Sequence, residues 1–393
     1  MSFFGSSGGG LSLGSLNNTN PLNTSNNPSP TTNSELANDT TLNDPPTDGI
    51  SDIDFSSTAD VLAVASWDSS VRLYEVVNGQ SQGRAMYNHQ APVLSARWSP
   101  DGSKVASGGC DNAVRVYDVA SNSSSTTATQ IGAHDAPVRA VRWAEMGPPG
   151  SGNIMLASAS WDRTIKYWDL RSPQAVATVA LPERAYSMDV SKSLLVVATA
   201  ERHVVIINLN NPQTIFRTSV SPLKMQTRVV ACFPQGDGFA LTSIEGRCSI
   251  QYVDPEVNKQ NTFSFKCHRR PAGNTSGSAL NTTIVSANSR AETLVYSVNS
   301  VCFHPVYGTM CTAGADGTFH FWDKDNKHRL KGFNDVGGPI TATAFNASGN
   351  VFAYAISYDW SKGYQFAAPT NVNTVRFHPV TEDEVKQRPK IKR

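Results

Sequence analysis

From residue 49 onward, apolar positions fall in short runs that repeat. The segments LAVASWDSSVRLYEV from Leu62, KVASGGCDNAVRVYDV from Lys104 and MLASASWDRTIKYWDL from Met155 share one pattern, and weaker copies follow from Leu194, Phe239, Met310 and Val351, seven in all. Each is a β-rich run, a turn holding Asp, Glu or Gly, and a second run alternating polar and apolar residues, which predicts a hairpin. Further alternating runs precede the copies, as in Val93 to Trp98, Val138 to Trp143, Val298 to Phe303 and Ile340 to Phe345. With the linking segments, this predicts four strands per unit. The turn acids lie 43 residues apart from Asp68 to Asp111, 51 from Asp111 to Asp162 and 43 from Asp316 to Asp359, the period of a propeller blade.

Two departures from that period stand out. Glu245 and Asp316 are 71 residues apart, so an insertion is expected at about 254–292, containing Lys259, Lys266, His268, Arg269 and Arg270; long loops on a rigid scaffold tend to carry function. Gly147-Pro148-Pro149-Gly150-Ser151-Gly152 lengthens the third unit and opens no helix that could cradle a phosphate. Residues 1–48 are rich in Gly, Ser and Asn and are predicted to be a disordered tail, because they cannot bury enough apolar surface to offset the entropy of ordering. The propeller is assigned to residues 49–370. Residues 371–393 are a C-terminal strand or tail, basic at its end through Lys386, Arg388, Lys390, Lys392 and Arg393. The pattern leaves open whether residues near 38–44 or near 373–379 close the ring.

Charge sharpens this division. No Lys or Arg precedes Arg72, while residues 1–71 carry eight acids; with +1 on the whole chain, residues 72–393 hold +9. A basic body favours acidic partners, although lysines kept for solubility produce the same excess. The longest apolar stretch, Leu194 to Ala198, is far below the ~20 residues of a membrane helix, and the N-terminus lacks a secretory pattern, so an intracellular setting is expected. Cys110, Cys232, Cys248, Cys267, Cys302 and Cys311 form no CxxC pair and read as small core hydrophobes. Cys267-His268 has no second ligand pair beside it, so neither a metal nor another cofactor is expected.

Catalysis is not expected either. The acids are mostly periodic turn residues, and no P-loop, HExxH or GxSxG occurs. The inner strands present small and apolar residues, as in Val93-Leu94-Ser95-Ala96 and Ile340-Thr341-Ala342-Thr343-Ala344, so the central channel is expected to lack a cluster of carboxylates or histidines. What remains is a binding surface.

Trp168-Asp169 and Trp322-Asp323 end their strands like the WD dipeptide, with Tyr74-Glu75 and Tyr117-Asp118 as relaxed forms. The chain therefore resembles a seven-bladed, all-β WD-repeat propeller. The resemblance implies that His134, Ser158, Asp162 and Trp168 form the hydrogen-bonded tetrad that stitches a blade together; in the sixth unit Leu294 stands where that His would fall. It also places Trp67, Cys110, Trp161, Ala315 and Tyr358, each before a turn acid or its equivalent, on the narrow top face, where exposed aromatics are candidate anchors.

Within this superfamily, the segments SFFG, SWDSSVRLYEV, SASWDRTIKYWDLR, SIEGR, FKCHR, NSVCFHPVYGTMCTAGADGTFHFWDKD and SYDWSKG resemble the mRNA export factor family of nuclear-pore-associated propellers. Phe3-Phe4-Gly5 with Leu11, Leu13 and Leu16 is similar to FG-type nuclear-pore segments. The resemblance implies a non-enzymatic adaptor at the nuclear pore, shuttling between nucleus and cytoplasm, and a heterodimer with an FG nucleoporin whose glutamate-bearing GLEBS segment crosses the top face. By the same resemblance Arg247 in SIEGR, Lys266 and Arg269 in FKCHR and Lys324 in FWDKD would meet acidic groups of peptide or RNA, beside Trp67, Trp161, Tyr358 and the Trp360 of SYDWSKG. Messenger ribonucleoprotein is a second partner class, although no RRM, KH or RGG signature occurs. The alternatives are a spindle-checkpoint propeller reading GLEBS motifs of mitotic kinases and a substrate receptor of a ubiquitin ligase. The FG-like tail argues against the first, and the lack of an F-box-type helix against the second.

Overall fold

The computed structural model describes residues 34–119, 127–272 and 292–388. A sheet that is apolar on both faces must cover both, and here each sheet does so by stacking between two others around an axis. Among the described residues seven four-stranded antiparallel sheets form the blades. In the first, Ile50–Phe55 is innermost, followed by Val61–Ser66, Ser70–Val77 and Gln80–Asn88. Its VLAVAS strand is buried at every position. Leu62 and Val64 pack against Ala353 and Phe377 of the seventh blade, while Ala63 and Ala65 pack against Val93 and Ala96 of the second. Successive side chains of one strand thus serve two seams, and seven such clusters fill the seven seams.

The periodic turn acids are explained by the turns themselves. Ser69, Asn112, Arg163 and Gly317 each adopt positive φ, and the acid before each accepts the backbone N–H of the residue after it: Ser70, Ala113, Thr164 and Thr318 at 2.9–3.2 Å. Asp and Asn supply this local acceptor readily.

In three blades the same acid also holds a buried histidine. His134 Nδ1 lies 2.8 Å from Asp162, His134 Nε2 lies 2.7 Å from Ser158 Oγ, and Trp168 Nε1 donates to that hydroxyl at 2.7 Å. His89, Asp111 and Ser107 repeat the arrangement in blade two, where the Tyr87 hydroxyl donates to Ser107. Blade six corrects the expectation drawn from Leu294. Its histidine is His268 of FKCHR, 2.8 Å from Asp316 and 3.0 Å from Thr312, with Trp322 completing the set. Spacing missed it because the extra residues follow the histidine rather than precede it.

The expected insertion divides accordingly. A helical turn, Pro255–Asn261, capped by Asp254, leads into the outer strand of blade five, Phe263–Lys266. Arg269–Pro271 then pairs with Thr293–Val295; residues 273–291 lie outside the described residues. The N-terminal boundary also moves. Residues 1–33, with the FG-like segment, lie outside the described residues, but 34–48 pack on the propeller.

Both candidate closing segments are used. Thr374–Pro379 is the third strand of blade seven, and Thr40–Thr41 adds the fourth. A buried cluster locks the junction: Asp39 lies 2.7 Å from His378 Nδ1 and accepts from the Tyr354 hydroxyl at 2.6 Å, while Glu384 lies 3.3 Å from His378 Nε2. The composition-based boundary missed this because one carboxylate with two buried partners, rather than an apolar run, anchors the segment.

Two outcomes follow from these bonds. Asp162→Ala removes the acceptor of a buried histidine, which costs about 1–3 kcal/mol; the melting temperature should fall by a few degrees, and an unchanged value would remove the tetrad's role. At His378, burial opposes the charge, but hydrogen bonds to Asp39 and Glu384 outweigh it and hold the imidazolium up to about 9. A folded pKa above the unfolded value gives stability that is complete below about pH 6.5 and lost as pH rises through about 9. The melting-temperature gap between parent and His378→Gln should be wide at pH 6.5 and close by about pH 10.

Candidate functional site

Strand alternation fixes which side chains share a face. Turns between second and third strands, together with the connections between blades, emerge at one end of the ring, the top. Turns between first and second and between third and fourth strands emerge at the other.

At the top of blade five, Arg247 opens the third strand and Lys266 closes the fourth, and the two are cross-strand neighbours. Arg247 lies 3.5 Å from Glu245, and Lys266 is exposed. Arg269 is spent differently: its Nη2 donates to the Glu245 carbonyl at 2.7 Å. Gly246 explains why SIEGR and FKCHR belong together. It adopts φ 60°, and a Cβ there would stand 2.6 Å from the Cys267 carbonyl and 3.1 Å from that of His268. The Cys267 N–H donates to the Gly246 carbonyl at 3.0 Å. The turn carrying Arg247 is therefore fixed against the strand carrying Lys266.

A second feature joins blades seven and one. Trp67 and Trp360 stand 6.0 Å apart between ring centroids, and Tyr358 lies 5.8 Å from Trp360. Trp67 is 36% and Trp360 46% exposed, large areas for indoles beside one another. The Tyr358 hydroxyl donates to the Gly363 carbonyl at 2.7 Å, fixing the loop. Trp161, 37% exposed, stands on the same face over blade three, away from this cluster.

Lys324 does not join them. It follows the third strand of blade six, Phe319–Asp323, and so emerges at the bottom. It is only 7% exposed, pairs with Asp325 at 2.7 Å and lies over the Phe233 ring. The FWDKD motif indicated its charge, but its strand end decides its face.

The channel wall also differs from expectation, for it carries Asp52, Asp54, Arg97, Arg139, Arg142 and Asp189. These charges come from the inner strands of blades one to four, while blades five to seven line the channel with small residues such as Val229, Ser300 and Thr343. The acids staple neighbouring blades. Asp52 pairs with Arg97 at 2.8 Å and accepts from Ser95 at 2.8 Å; Asp54 accepts the Trp98 N–H at 2.8 Å. Asp189 pairs with Arg142 at 2.9 Å and accepts the Cys232 N–H at 2.7 Å. Burial pushes Asp54 up to about 6 against the opposing pull of Arg97. The alternate-position acids of Asp52-Ile53-Asp54 were the available signal.

The WD domain, G-beta repeat family matches residues 39–75, 80–118, 125–169 and 292–323. The chain is 51% identical over 358 residues to the Poly(A)+ RNA export protein of Schizosaccharomyces pombe, covering 91% of this chain and 94% of that protein. It is 49% identical to the mRNA export factor GLE2 of Chaetomium thermophilum, covering 91% and 95%, and 41% identical to Protein Rae1 of Drosophila melanogaster, covering 89% and 96%. Similarity over about nine tenths of the chain to proteins named as RNA export proteins, on a seven-bladed propeller, shows that the chain belongs to the mRNA export factor family of WD-repeat proteins.

Proposed function

We propose that this chain is a non-enzymatic adaptor of mRNA export that works at the nuclear pore by holding a GLEBS-type segment of an FG nucleoporin across its top face. The observation that carries this reading is the fixed pair Arg247 and Lys266, cross-strand neighbours at one rim of that face. A half-buried arginine beside an exposed lysine on a rigid edge suits the glutamates of an extended peptide, because charge-assisted bonds there need no reordering of the scaffold. Trp67 and Trp360 offer an apolar anchor on blades one and seven, and a peptide of about ten extended residues spans some 33 Å, enough to reach across a propeller face. The names of the relatives support the export role and, with it, a nuclear setting; the peptide's class comes from the family resemblance.

Arg247→Glu would set a like charge against the peptide's glutamate as well as removing a bond. Affinity for a GLEBS peptide should fall by about 2 kcal/mol, roughly thirtyfold, in calorimetric titration. Lys259→Glu is the control, since Lys259 is exposed on the helical turn at the bottom of the same blade. Equal affinity for both variants and the parent, with unchanged melting, would place the acidic partner elsewhere.

A further inference from the structure

Every inner strand contains one extra residue near its top end. The register shifts after the first residue in all seven, leaving Ser51, Leu94, Arg139, Tyr186, Arg228, Asn299 and Thr341 as the bulged positions. A bulge releases its residue from the ladder and re-aims the side chain, so these seven positions form one tier at the top of the channel. Two of them are arginines, on blades three and five, and neither has an ion pair among the described residues.

Arg139 lines the channel and makes a single hydrogen bond, from Nη1 to the Leu94 carbonyl at 3.3 Å. Burial and the charge of Arg228 lower its proton affinity to about 10. Arg228 has no hydrogen bond among the described residues; burial lowers its pKa as well, against the attraction of Asp359. The acids that face these arginines are otherwise engaged. Asp359 accepts from Asn299 Nδ2 at 2.9 Å and from the Ser361 N–H at 3.1 Å, and Asp52 is held by Arg97 and Ser95. Arg97 and Arg142, the other cations that reach Arg139, are paired. Thr341, in the same tier and also on the channel wall, has a buried hydroxyl without a partner. The cavity below holds about 290 Å³, many times what one water needs.

Two guanidinium groups on one tier of the channel mouth, half withdrawn from water and with no counter-charge in contact, are costly unless an anion joins them. The guanidinium fork suits tetrahedral oxyanions, and a free hydroxyl adds a donor. We infer that the top mouth of the channel, between Arg139 and Arg228 and beside Thr341, binds a phosphate-class oxyanion, either free phosphate or the dianionic end of a phosphomonoester. The site does not rest on the peptide reading and holds whether or not a peptide crosses the face above it.

The test is calorimetric titration of the full chain with inorganic phosphate and, separately, with phosphoserine, against chloride at matched ionic strength. Saturable one-to-one phosphate binding that weakens at least tenfold in both Arg139→Gln and Arg228→Gln is expected. Binding of phosphoserine as tight as that of phosphate would identify an open mouth that takes monoesters; phosphate alone would identify the free ion. Melting in phosphate-free buffer supplies the second readout: removing one of two repelling charges should leave the variants as stable as the parent or more so. No saturable binding, equal binding by parent and variants, or variants that melt well below the parent would each overturn the site, the last by making these arginines structural.

Discussion

Closure of the ring is the constraint on which everything else depends. Each blade buries one face against the blade before and the other against the blade after, so no blade has a complete core by itself, and an open array would leave two apolar faces in water. The seam between blades seven and one must therefore form. Leu42, Ile50 and Val64 meet Phe377, Val375 and Ala355 there, but the fourth strand of blade seven is only the two residues Thr40–Thr41. Such a short pairing holds few ladder bonds, and the buried Asp39, His378, Tyr354 and Glu384 supply what it lacks. Charge inside the molecule thus compensates for a strand too short to hold by itself.

That closed scaffold also accounts for most of the groups that could otherwise suggest chemistry. Both ring nitrogens of His89, His134 and His268 are occupied by a turn acid and a hydroxyl. The carboxylates of the channel wall tie blade one to blade two and blade four to blades three and five. The side chains these bonds leave over are few: Lys266 at the rim of blade five, the aromatics over the seam of blades seven and one, and two arginines without ion pairs at the channel mouth.

The architecture was legible in the sequence because seven copies of one pattern cannot be mistaken for a single irregular sheet, and the turn acids marked the tops of the blades. What escaped were features that depend on register rather than composition. His268 looked like part of a basic insertion because the residues separating it from Asp316 are inserted after it, and a fixed offset from the acid fell on Leu294. Lys324 carried the right charge, yet one strand length separates top from bottom in an antiparallel blade. The inner strands read as small and apolar because the eye follows their alanines and valines, while the bulge near each strand's start lets the intervening Asp and Arg residues face the channel. Residues 34–48 escaped for a different reason: isolated Leu36 and Leu42 and a buried Asp39 anchor the segment, and they make no apolar run.

The same bulge decides how the molecule divides its charges. Below that tier, each acid sits opposite an arginine or an amide of the neighbouring blade, and the charges serve cohesion. At the tier itself the strands have not yet entered the regular ladder, so Arg139 and Arg228 face no amide or acid in register with them. Among the described residues the one seam bond either guanidinium makes is that of Arg139 to the Leu94 carbonyl of blade two, at 3.3 Å, and neither bridges two blades through an acid. Arginine without an ion pair, placed at the one level where the sheet does not dictate its partner, is explained by what enters the channel rather than by what builds it.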